Sequence, residues 1–380
     1  MSMTKRRAIG YITANYSSRE QSVLTDDRPL ASVPFMGRYR LIDFPLSNMM
    51  NADIKTVGLV MPGNCRSIID HVGSGKDWLL DRKKGGLFLV PGNAYGTSKR
   101  GMRFLLRDII ANKELFKRAE RPYVVLMGAN IVFNLDLDTI LDAHEASGAG
   151  VTMVYCKAVR SQPDALSLNI NDRGRVTGTR SGCEYGDNKF MDCFVINREL
   201  LLEIIEDYAS ADYLDFFEAI KGDFERIDVC TYEFKGLVVG IHNEKTYYER
   251  SMALLDPSVY EQLFDPDRPI ITKAHDAPPA KYAAGSNATS SLISAGCRVH
   301  GTVRGSILSR GVVVESGAQV VNSILMQSCV IKSGARVENC ILDKNNVVPA
   351  NTELRGTPEH TLVLGKAPLN PAAPDLAPGL

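Results

Sequence analysis

A period of six residues in the last quarter of the chain most constrains its fold. Aliphatic side chains and glycines recur at this spacing between residues 290 and 349. They stand at Val312, Ala318, Ile324 and Val330, at Ala335, Ile341 and Val347, and at Gly305, Gly311 and Gly317. The pattern is typical of a left-handed parallel β-helix, in which three hexapeptides form one triangular coil and stacked coils bury an apolar column. About ten hexapeptides fit in the segment, which predicts roughly three coils.

The first 158 residues alternate apolar runs with helical patterns. Runs at 8–12, 56–61, 123–127 and 151–155 predict buried strands. A helix before the third strand has an apolar stripe made of Met102, Leu105, Leu106, Ile109 and Ile110. Buried strands separated by helices predict an α/β domain with a doubly wound, Rossmann-like parallel sheet. Such sheets bind ligands at the carboxyl ends of their strands.

Shorter strands and helices predicted for residues 165–255 complete an α/β domain of residues 1–255. From 256 to 282 the periodicity fails and five prolines occur, which we interpret as a linker without helix. The β-helix domain is then assigned to 283–366, and 367–380 is predicted to be a loose C-terminal tail.

Charge and cysteine content exclude several classes of protein. Lys plus Arg and Asp plus Glu number 44 each, so no net charge draws the chain to nucleic acid or to an acidic membrane. No run of 18 apolar residues occurs, and no signal peptide is evident. The eight cysteines are scattered without a Cys-x-x-Cys pair, and the six histidines lack metal-ligand spacing. These features favour a cytoplasmic globular protein with reduced thiols and no metal site.

Residues 37–54, GRYRLIDFPLSNMMNADI, carry the most specific motif. Pro45 predicts the end of a strand, and the residues after it form a helix with one apolar face. The segment resembles the signature of the ADP-glucose pyrophosphorylases (glucose-1-phosphate adenylyltransferases). The matching residues are Gly37, Tyr39, Arg40, Ile42, Asp43, Phe44, Leu46, Ser47, Asn48 and Asn51. With the β-helix, the resemblance covers almost the whole chain and implies a nucleotidyltransferase domain followed by hexapeptide repeats.

The resemblance also implies where catalysis should occur, and the required residues are missing. The family's glycine-rich phosphate loop corresponds to 13–20, which contains no glycine and leaves Arg19 as a nucleotide-binding remnant. Leu30 replaces a family lysine, and Asn130 and Gly240 replace the two aspartates that hold Mg²⁺. Losing these groups together should cost many powers of ten in rate. We therefore expect no catalytic residues and no bound cofactor here, with Mg²⁺ held by an active partner subunit.

Parts of the nucleotide and sugar pockets are recognisable. The other remnants of a nucleotide site are Tyr95, Gly96, Thr97 and Gly128. The family's sugar-phosphate lysine has no counterpart in 179–183. Asp136 and Asp138 lie nearby, but acidic residues after a strand are more often helix caps than metal ligands.

The resemblance further implies an effector site between the two domains, where family members bind phosphorylated glycolytic intermediates. Candidate phosphate-binding residues are Arg28, Arg40, Lys332 and Lys344. Asp27 stands where the family has a lysine and would repel an anion, so ligand or response is expected to differ.

The resemblance implies a regulatory, catalytically impaired subunit of glucose-1-phosphate adenylyltransferase, the enzyme that makes ADP-glucose and pyrophosphate from ATP and glucose 1-phosphate for glycogen biosynthesis. It would form a heterotetramer with an active paralogue, with part of the interface on residues 290–350. Two alternatives stay open. One is a weakly active sugar-1-phosphate nucleotidyltransferase with a rearranged metal site, and the other is a stand-alone sugar-phosphate sensor.

Overall fold

The computed structural model describes residues 7–15, 22–92, 104–209, 215–221, 224 and 226–368. The strands of its first part are β1 (Ala8–Thr13), β2 (Pro34–Phe35), β3 (Tyr39–Arg40), β4 (Thr56–Met61), β5 (Gly86–Pro91), β6 (Tyr123–Gly128), β7 (Ile131–Val132), β8 (Val151–Lys157), β9 (Gln162–Ile170), β10 (Val176–Cys183), β11 (Asn188–Asn197), β12 (Val229–Glu233) and β13 (Val239–Gly240). The helices are α1 (Asp43–Asn51), α2 (Arg66–Val72), α3 (Leu106–Ala111), α4 (Lys113–Lys117), α5 (Leu137–Ser147), α6 (Arg198–Asp207), α7 (Phe216–Lys221), α8 (Glu244–Ala253) and α9 (Pro257–Leu263). Short 3-10 helices occur at Val23–Thr25, Leu30–Ser32 and Lys76–Trp78.

The central sheet has the strand order β10-β9-β11-β6-β1-β4-β5, and β8 pairs with both β11 and β12. Strands β6, β1, β4 and β5 are parallel, in agreement with the doubly wound prediction. Strand β11 runs antiparallel to both β6 and β8, and β9 and β10 form an antiparallel pair. The sheet is therefore mixed rather than wholly parallel, because an apolar run indicates burial of a strand but not its direction.

Both faces of the central sheet are buried, since successive residues of a strand point to opposite sides. On β1, Ala8 and Ile12 belong to the core on one side, and Ile9 and Tyr11 to the core on the other. Helices α1, α2 and α5 cover the first side, and α3, α4, α6 and α7 cover the second. This double cover leaves the carboxyl ends of the strands as the edge at which a ligand can bind.

The second part is a left-handed parallel β-helix with three five-stranded sheets. Its strands are β14 (Lys281–Tyr282), β15 (Asn287–Thr289), β16 (Leu292–Ile293), β17 (Arg298–Val299), β18 (Thr302–Arg304), β19 (Ile307–Leu308), β20 (Val313–Val314), β21 (Gln319–Val321), β22 (Ile324–Leu325), β23 (Val330–Ile331), β24 (Arg336–Glu338), β25 (Cys340–Leu342), β26 (Val347–Val348), β27 (Glu353–Arg355) and β28 (Leu362–Leu364). One apolar column fills its interior.

The β-helix contains five coils instead of the roughly three predicted, since each sheet holds five strands. Its repeat is also shorter than 18 residues. Val299 stacks on Val314 15 residues later, and Ile331 and Val348 follow at intervals of 17. The six-residue pattern does not reveal the first coil, because β14 and β15 are exposed and add no aliphatic column.

The segment 256–282 contains a helix, so the prediction that its prolines exclude one is wrong. Helix α9 begins at Pro257, and a proline at the first helical position gives up no intrahelical hydrogen bond. The Asp256 side chain caps the helix by accepting a hydrogen bond from the backbone N–H of Ser258. Proline therefore starts this helix rather than breaking it.

The eight cysteines all lie in the described residues, none of them forms a disulfide, and six of them are buried. Burial raises the pKa of Cys297 to about 11 and that of Cys329 to about 12, which keeps both thiols protonated. Within the described ranges, no helix is both long and apolar enough to span a bilayer.

Candidate functional site

The polar side chains of the 37–54 motif hold the first domain together. The buried Asp43 carboxylate accepts a hydrogen bond from the backbone N–H of Arg40 at 2.9 Å and contacts His71 Nε2 at 2.5 Å. The Asn48 amide donates a hydrogen bond to the backbone oxygen of Phe133 at 3.1 Å and accepts one from the backbone N–H of Leu135 at 2.9 Å. These contacts fix α1 against the rest of the domain. The motif is therefore a signature of the fold, and its presence does not require a working catalytic centre.

The carboxyl ends of β1 and β6 form the edge where nucleotide phosphates would lie. Thr13 and Gly128 are register partners there, and Gly128 is buried. Just beyond β1, Asn15 Nδ2 donates to Asp108 Oδ2 at 2.8 Å. Side chains with β-carbons thus line this edge, so its backbone cannot approach a triphosphate as closely as a glycine-rich loop can. The predicted remnants Arg19, Tyr95, Gly96 and Thr97 lie outside the described residues.

The structure brings the two degenerate metal positions together. Strand β13 pairs with β7, which places Gly240 opposite the residue that follows Asn130. The Asn130 Nδ2 group donates to Asp192 Oδ2 at 3.3 Å. A β-carbon built on Gly240 would lie 3.0 Å from His242 Nε2 and 3.6 Å from Lys189 Nζ. An amide, one carboxylate, an imidazole and an ammonium group therefore surround this point.

This set of groups does not fit Mg²⁺, which prefers carboxylates and other oxygen ligands in near-octahedral geometry. Asn130 offers only an amide oxygen, Gly240 offers no ligand, and the Lys189 ammonium repels a cation. No group of three or more His, Cys, Asp or Glu side chains able to hold a metal occurs in the described part of the chain. Leu30 packs against an apolar cluster and lines a small cavity beside Ile241. The absence of bound Mg²⁺ stays a prediction, which this chemistry supports.

Asp136 and Asp138 have structural partners at the start of α5. The Asp136 side chain accepts hydrogen bonds from the backbone N–H groups of Asp138 and Thr139, in the first turn of the helix, at 3.1 Å and 3.3 Å. Asp138 forms an ion pair with Arg7 at 3.4 Å. Asp136 therefore acts as the helix cap that its position after a strand predicts.

A second cluster of charges lies between the α/β domain and the β-helix. The buried Arg28 side chain forms an ion pair with the buried Asp343, in the turn after β25. Arg28 Nε also donates to the backbone oxygen of Leu24 at 2.8 Å, and Met326 Sδ lies 4.0 Å from its Nη2. Arg28 is thus held by protein groups and ties the two domains together.

Further cations of this cluster include Arg40, Arg310 and Lys344. Arg40 Nη1 donates to the backbone oxygen of Ser67 at 2.6 Å, and burial lowers the pKa of Arg40 to about 10, with Arg310 and Arg28 adding to the shift. Burial also lowers the pKa of Arg310. Lys344 Nζ makes no hydrogen bond or ion pair with any residue that the structure describes. Partly buried cations that depress one another's pKa values are typical of a site for an anion.

Of the four predicted effector residues, Arg28, Arg40 and Lys344 lie in this interdomain cleft, and Lys332 does not. Lys332 follows β23, in a different sheet from β25, and pairs with Glu315 at 2.9 Å. Sequence reasoning missed Arg310, although the coil register contains the signal. Because β19, β22 and β25 stack 17 residues apart, positions 310, 327 and 344 occupy equivalent turns.

The cleft predicts a pH dependence of stability. The pKa of Lys344 is lowered to about 8, first by burial and then by Arg40 and Arg28, while Asp343 opposes the shift. Because this folded-state pKa lies below the ordinary value of 10.5, the folded protein binds fewer protons between these two pH values. Stability should therefore rise with pH across this window, by up to about 3 kcal/mol from this group.

Urea unfolding of the wild-type chain and of Lys344→Met, at pH 7.5 and at pH 10, checks this dependence. The variant should lack this part of the rise, since methionine does not titrate. Equal changes in the two proteins would show that Lys344 does not titrate abnormally.

Comparison with known proteins identifies relatives of the whole chain. Residues 278–360 match the family model described as GlmU-like, C-terminal hexapeptide, and residues 22–165 match the nucleotidyl transferase model. The glycogen biosynthesis protein GlgD of Bacillus subtilis (strain 168) is 34% identical over 371 residues, which cover 96% of this chain and 97% of that protein. GlgD of Geobacillus stearothermophilus is 34% identical, and 83% of each chain is covered. A glucose-1-phosphate adenylyltransferase of Clostridium perfringens (strain SM101 / Type A) is 28% identical, with 84% of each chain covered.

These similarities extend through both the α/β domain and the β-helix. The resemblance indicated by the 37–54 motif and the hexapeptide repeat is thereby confirmed. The chain belongs to the family of the GlgD glycogen biosynthesis proteins, relatives of the glucose-1-phosphate adenylyltransferases.

Proposed function

We propose that this chain is a regulatory, catalytically impaired subunit of a glucose-1-phosphate adenylyltransferase and acts in a heterotetramer with an active paralogue. The GlgD and adenylyltransferase relatives support a role in glycogen biosynthesis. The observation that carries the proposal is the site at the end of β13, where Asn130 and Gly240 stand beside the Lys189 ammonium instead of two carboxylates. The active partner would hold Mg²⁺ and join ATP to glucose 1-phosphate.

The purified chain alone should form ADP-glucose at least about 10⁴-fold more slowly than an active paralogue, because several transition-state contacts are missing. Pyrophosphate release from ATP and glucose 1-phosphate measures this rate. The double variant Asn130→Asp with Gly240→Asp should restore little, since the segment 13–20 still lacks glycine. Turnover of the wild-type chain at an ordinary enzymatic rate would instead support a nucleotidyltransferase with a rearranged metal site.

Assembly with the active paralogue separates a subunit from a stand-alone sensor. Among the residues that the structure describes, no further coil covers the strand edges of the last coil of the β-helix, and Val347 in this coil is 37% exposed. At the other end, Tyr282 is 55% exposed. Such edges favour packing against another subunit. Co-expression should give one tetrameric species by sedimentation, whereas a chain that stays monomeric beside the paralogue would contradict the proposal.

The interdomain cleft is proposed as the effector site, with a phosphorylated glycolytic intermediate as its ligand. Arg40, Arg310 and Lys344 supply N–H donors and positive charge. Arg28 adds positive charge nearby while it stays in its ion pair with Asp343. Asp27, at the family's lysine position, pairs with Lys366 at 2.8 Å. This pair neutralises one anion-repelling charge, so an anion can approach the three cations.

In the assembled complex, Lys344→Met should weaken the apparent affinity for the effector by about 10-fold or more, since a hydrogen bond to a charged group contributes about 1.5–3 kcal/mol. Activity titrations with sugar phosphates and glycolytic acids measure this effect. Lys332→Met is the matched control, because it removes a lysine of the same domain that faces Glu315 instead of the cleft. Overlapping curves for wild type and Lys344→Met would place effector binding on the active partner.

A further inference from the structure

A buried lysine that the proposed function does not use lies at the end of β13. Lys189 belongs to β11 and is 5% exposed. Its ammonium group forms no hydrogen bond or ion pair with any described residue, although the Asp192 carboxylate lies within electrostatic range and favours its charged form. The pKa of Lys189 is lowered, and burial is the largest cause. A buried ammonium group without a hydrogen-bonding partner is costly and needs an explanation.

Two other polar atoms beside this lysine also lack partners in the described structure. The Asn130 Oδ1 atom is buried without a hydrogen bond, and so is Arg250 Nε. Arg250 lies within electrostatic range of Lys189, and burial lowers its pKa as well. The site thus combines two cations with two carboxylates, Asp192 near Lys189 and Glu249 near Arg250, and donors of both cations have no hydrogen-bonding partner among the described residues.

We propose that Lys189 takes the place of a divalent metal ion, so that this site binds a phosphate monoester without a metal. The ammonium group lies 3.6 Å from the point where a side chain at position 240 would begin, and no carboxylate stands at positions 130 and 240 to bind a metal there. Lysine provides a compact, fixed positive charge with three N–H donors, which suits the oxygens of a phosphate. The partnerless Arg250 Nε supplies a further donor.

The alternative role of Lys189 is structural, as one member of an ion pair with Asp192. In that case, removing the charge would break this pair and destabilise the fold. If Lys189 serves a ligand site instead, removing its charge should not destabilise the fold. Replacing a buried, partnerless ammonium group with methionine should leave the urea midpoint unchanged or raise it, because residues kept for binding often reduce stability.

The first test uses the purified chain with Lys344→Met, which removes a cation of the interdomain cleft, in buffer with EDTA. Calorimetric titration with glucose 1-phosphate should show binding at one site, and adding Lys189→Met should weaken it about 10-fold or more. Lys157→Met is the control, because Lys157 lies on the neighbouring strand β8 but is exposed and donates to Asn188 at 2.6 Å. Absence of binding in EDTA, or unchanged affinity after Lys189→Met, overturns the proposal.

The second test does not depend on the folding of Lys189→Met or on any organic ligand. Asn130→Asp with Gly240→Asp introduces two carboxylates, for which the His242 ring has to shift by a few tenths of an ångström. With Lys189 in place, this variant should bind no Mn²⁺ by electron paramagnetic resonance, and the further change Lys189→Met should produce binding. Mn²⁺ binding while Lys189 is present overturns the proposal. The first test removes the same cleft cation from every protein that it compares, and the second leaves the cleft unchanged, so neither outcome depends on the proposed effector site.

Discussion

Replacing Arg28 with methionine should lower the free energy of unfolding by about 3–5 kcal/mol, because it leaves Asp343 charged and buried without its counter-charge. The side chains of Arg28 and Asp343 are 4% and 1% exposed, so water cannot compensate for the lost partner. Methionine retains much of the aliphatic volume and limits the loss of packing against Met326. Urea unfolding of the purified chain, followed by circular dichroism, measures the change.

Two controls test whether the loss of stability comes from the Asp343 carboxylate that is left without its counter-charge. Combining Arg28→Met with Asp343→Leu removes both charges and should recover most of the lost stability, since a buried ion pair can often be replaced by apolar residues. Arg118→Met breaks an exposed pair with Glu114 at 3.6 Å and should cost less than about 0.5 kcal/mol. A loss below about 1 kcal/mol for Arg28→Met would show that the ion pair is not structural.

The position of Arg28 changes how an effector experiment has to be designed. The sequence predicts four candidate phosphate ligands, Arg28, Arg40, Lys332 and Lys344. In the structure, Arg28 forms an ion pair with Asp343 and a hydrogen bond to the backbone oxygen of Leu24. The Lys344 ammonium group has no such partner among the described residues. A weaker effector response in an Arg28 variant could therefore reflect domain separation, and Lys344 is the informative position.

Much of the fold follows from the sequence because burial leaves periodic traces. The runs at 56–61 and 123–127 become the neighbouring parallel partners of β1, and the column through Val314 and Ile331 lies inside the β-helix. What the sequence hides is direction and exposure. Strand β11 is apolar along most of its length whichever way it runs, and the exposed first coil has no aliphatic column that could mark it.

The site was harder to predict, because its new groups come from positions that carry no motif. The losses at Asn130 and Gly240 are visible in the sequence, but Lys189 lies on another strand and meets them only through the β13–β7 pairing. Arg310 likewise reaches the cleft through the coil register. Departures from a family pattern therefore locate a changed site, and the fold is needed to show which residues now fill it.

Replacing Gly37 with alanine should lower the free energy of unfolding by about 2–5 kcal/mol and loosen the contact between the two domains. Gly37 has φ +74°, a conformation that costs other residues about 1–2 kcal/mol. Its β-carbon would also lie 2.5 Å from Ser294 Oγ and 2.8 Å from Leu292 Cδ2 of the β-helix, and overpacking of this kind typically costs about 1–3 kcal/mol. Urea unfolding measures the stability, and limited proteolysis reports on the domain contact.

The matched control is Gly148→Ala, at the C-terminal end of α5. Gly148 has φ +63° but open space around its would-be β-carbon, so it should lose only the backbone contribution. The difference between the two variants then measures the domain contact alone. Adding Ser294→Ala to Gly37→Ala should recover part of this difference, because it removes the nearest clashing atom, a buried hydroxyl that lacks a hydrogen-bonding partner among the described residues. Equal losses for Gly37→Ala and Gly148→Ala would mean that the β-helix does not pack on Gly37 in solution.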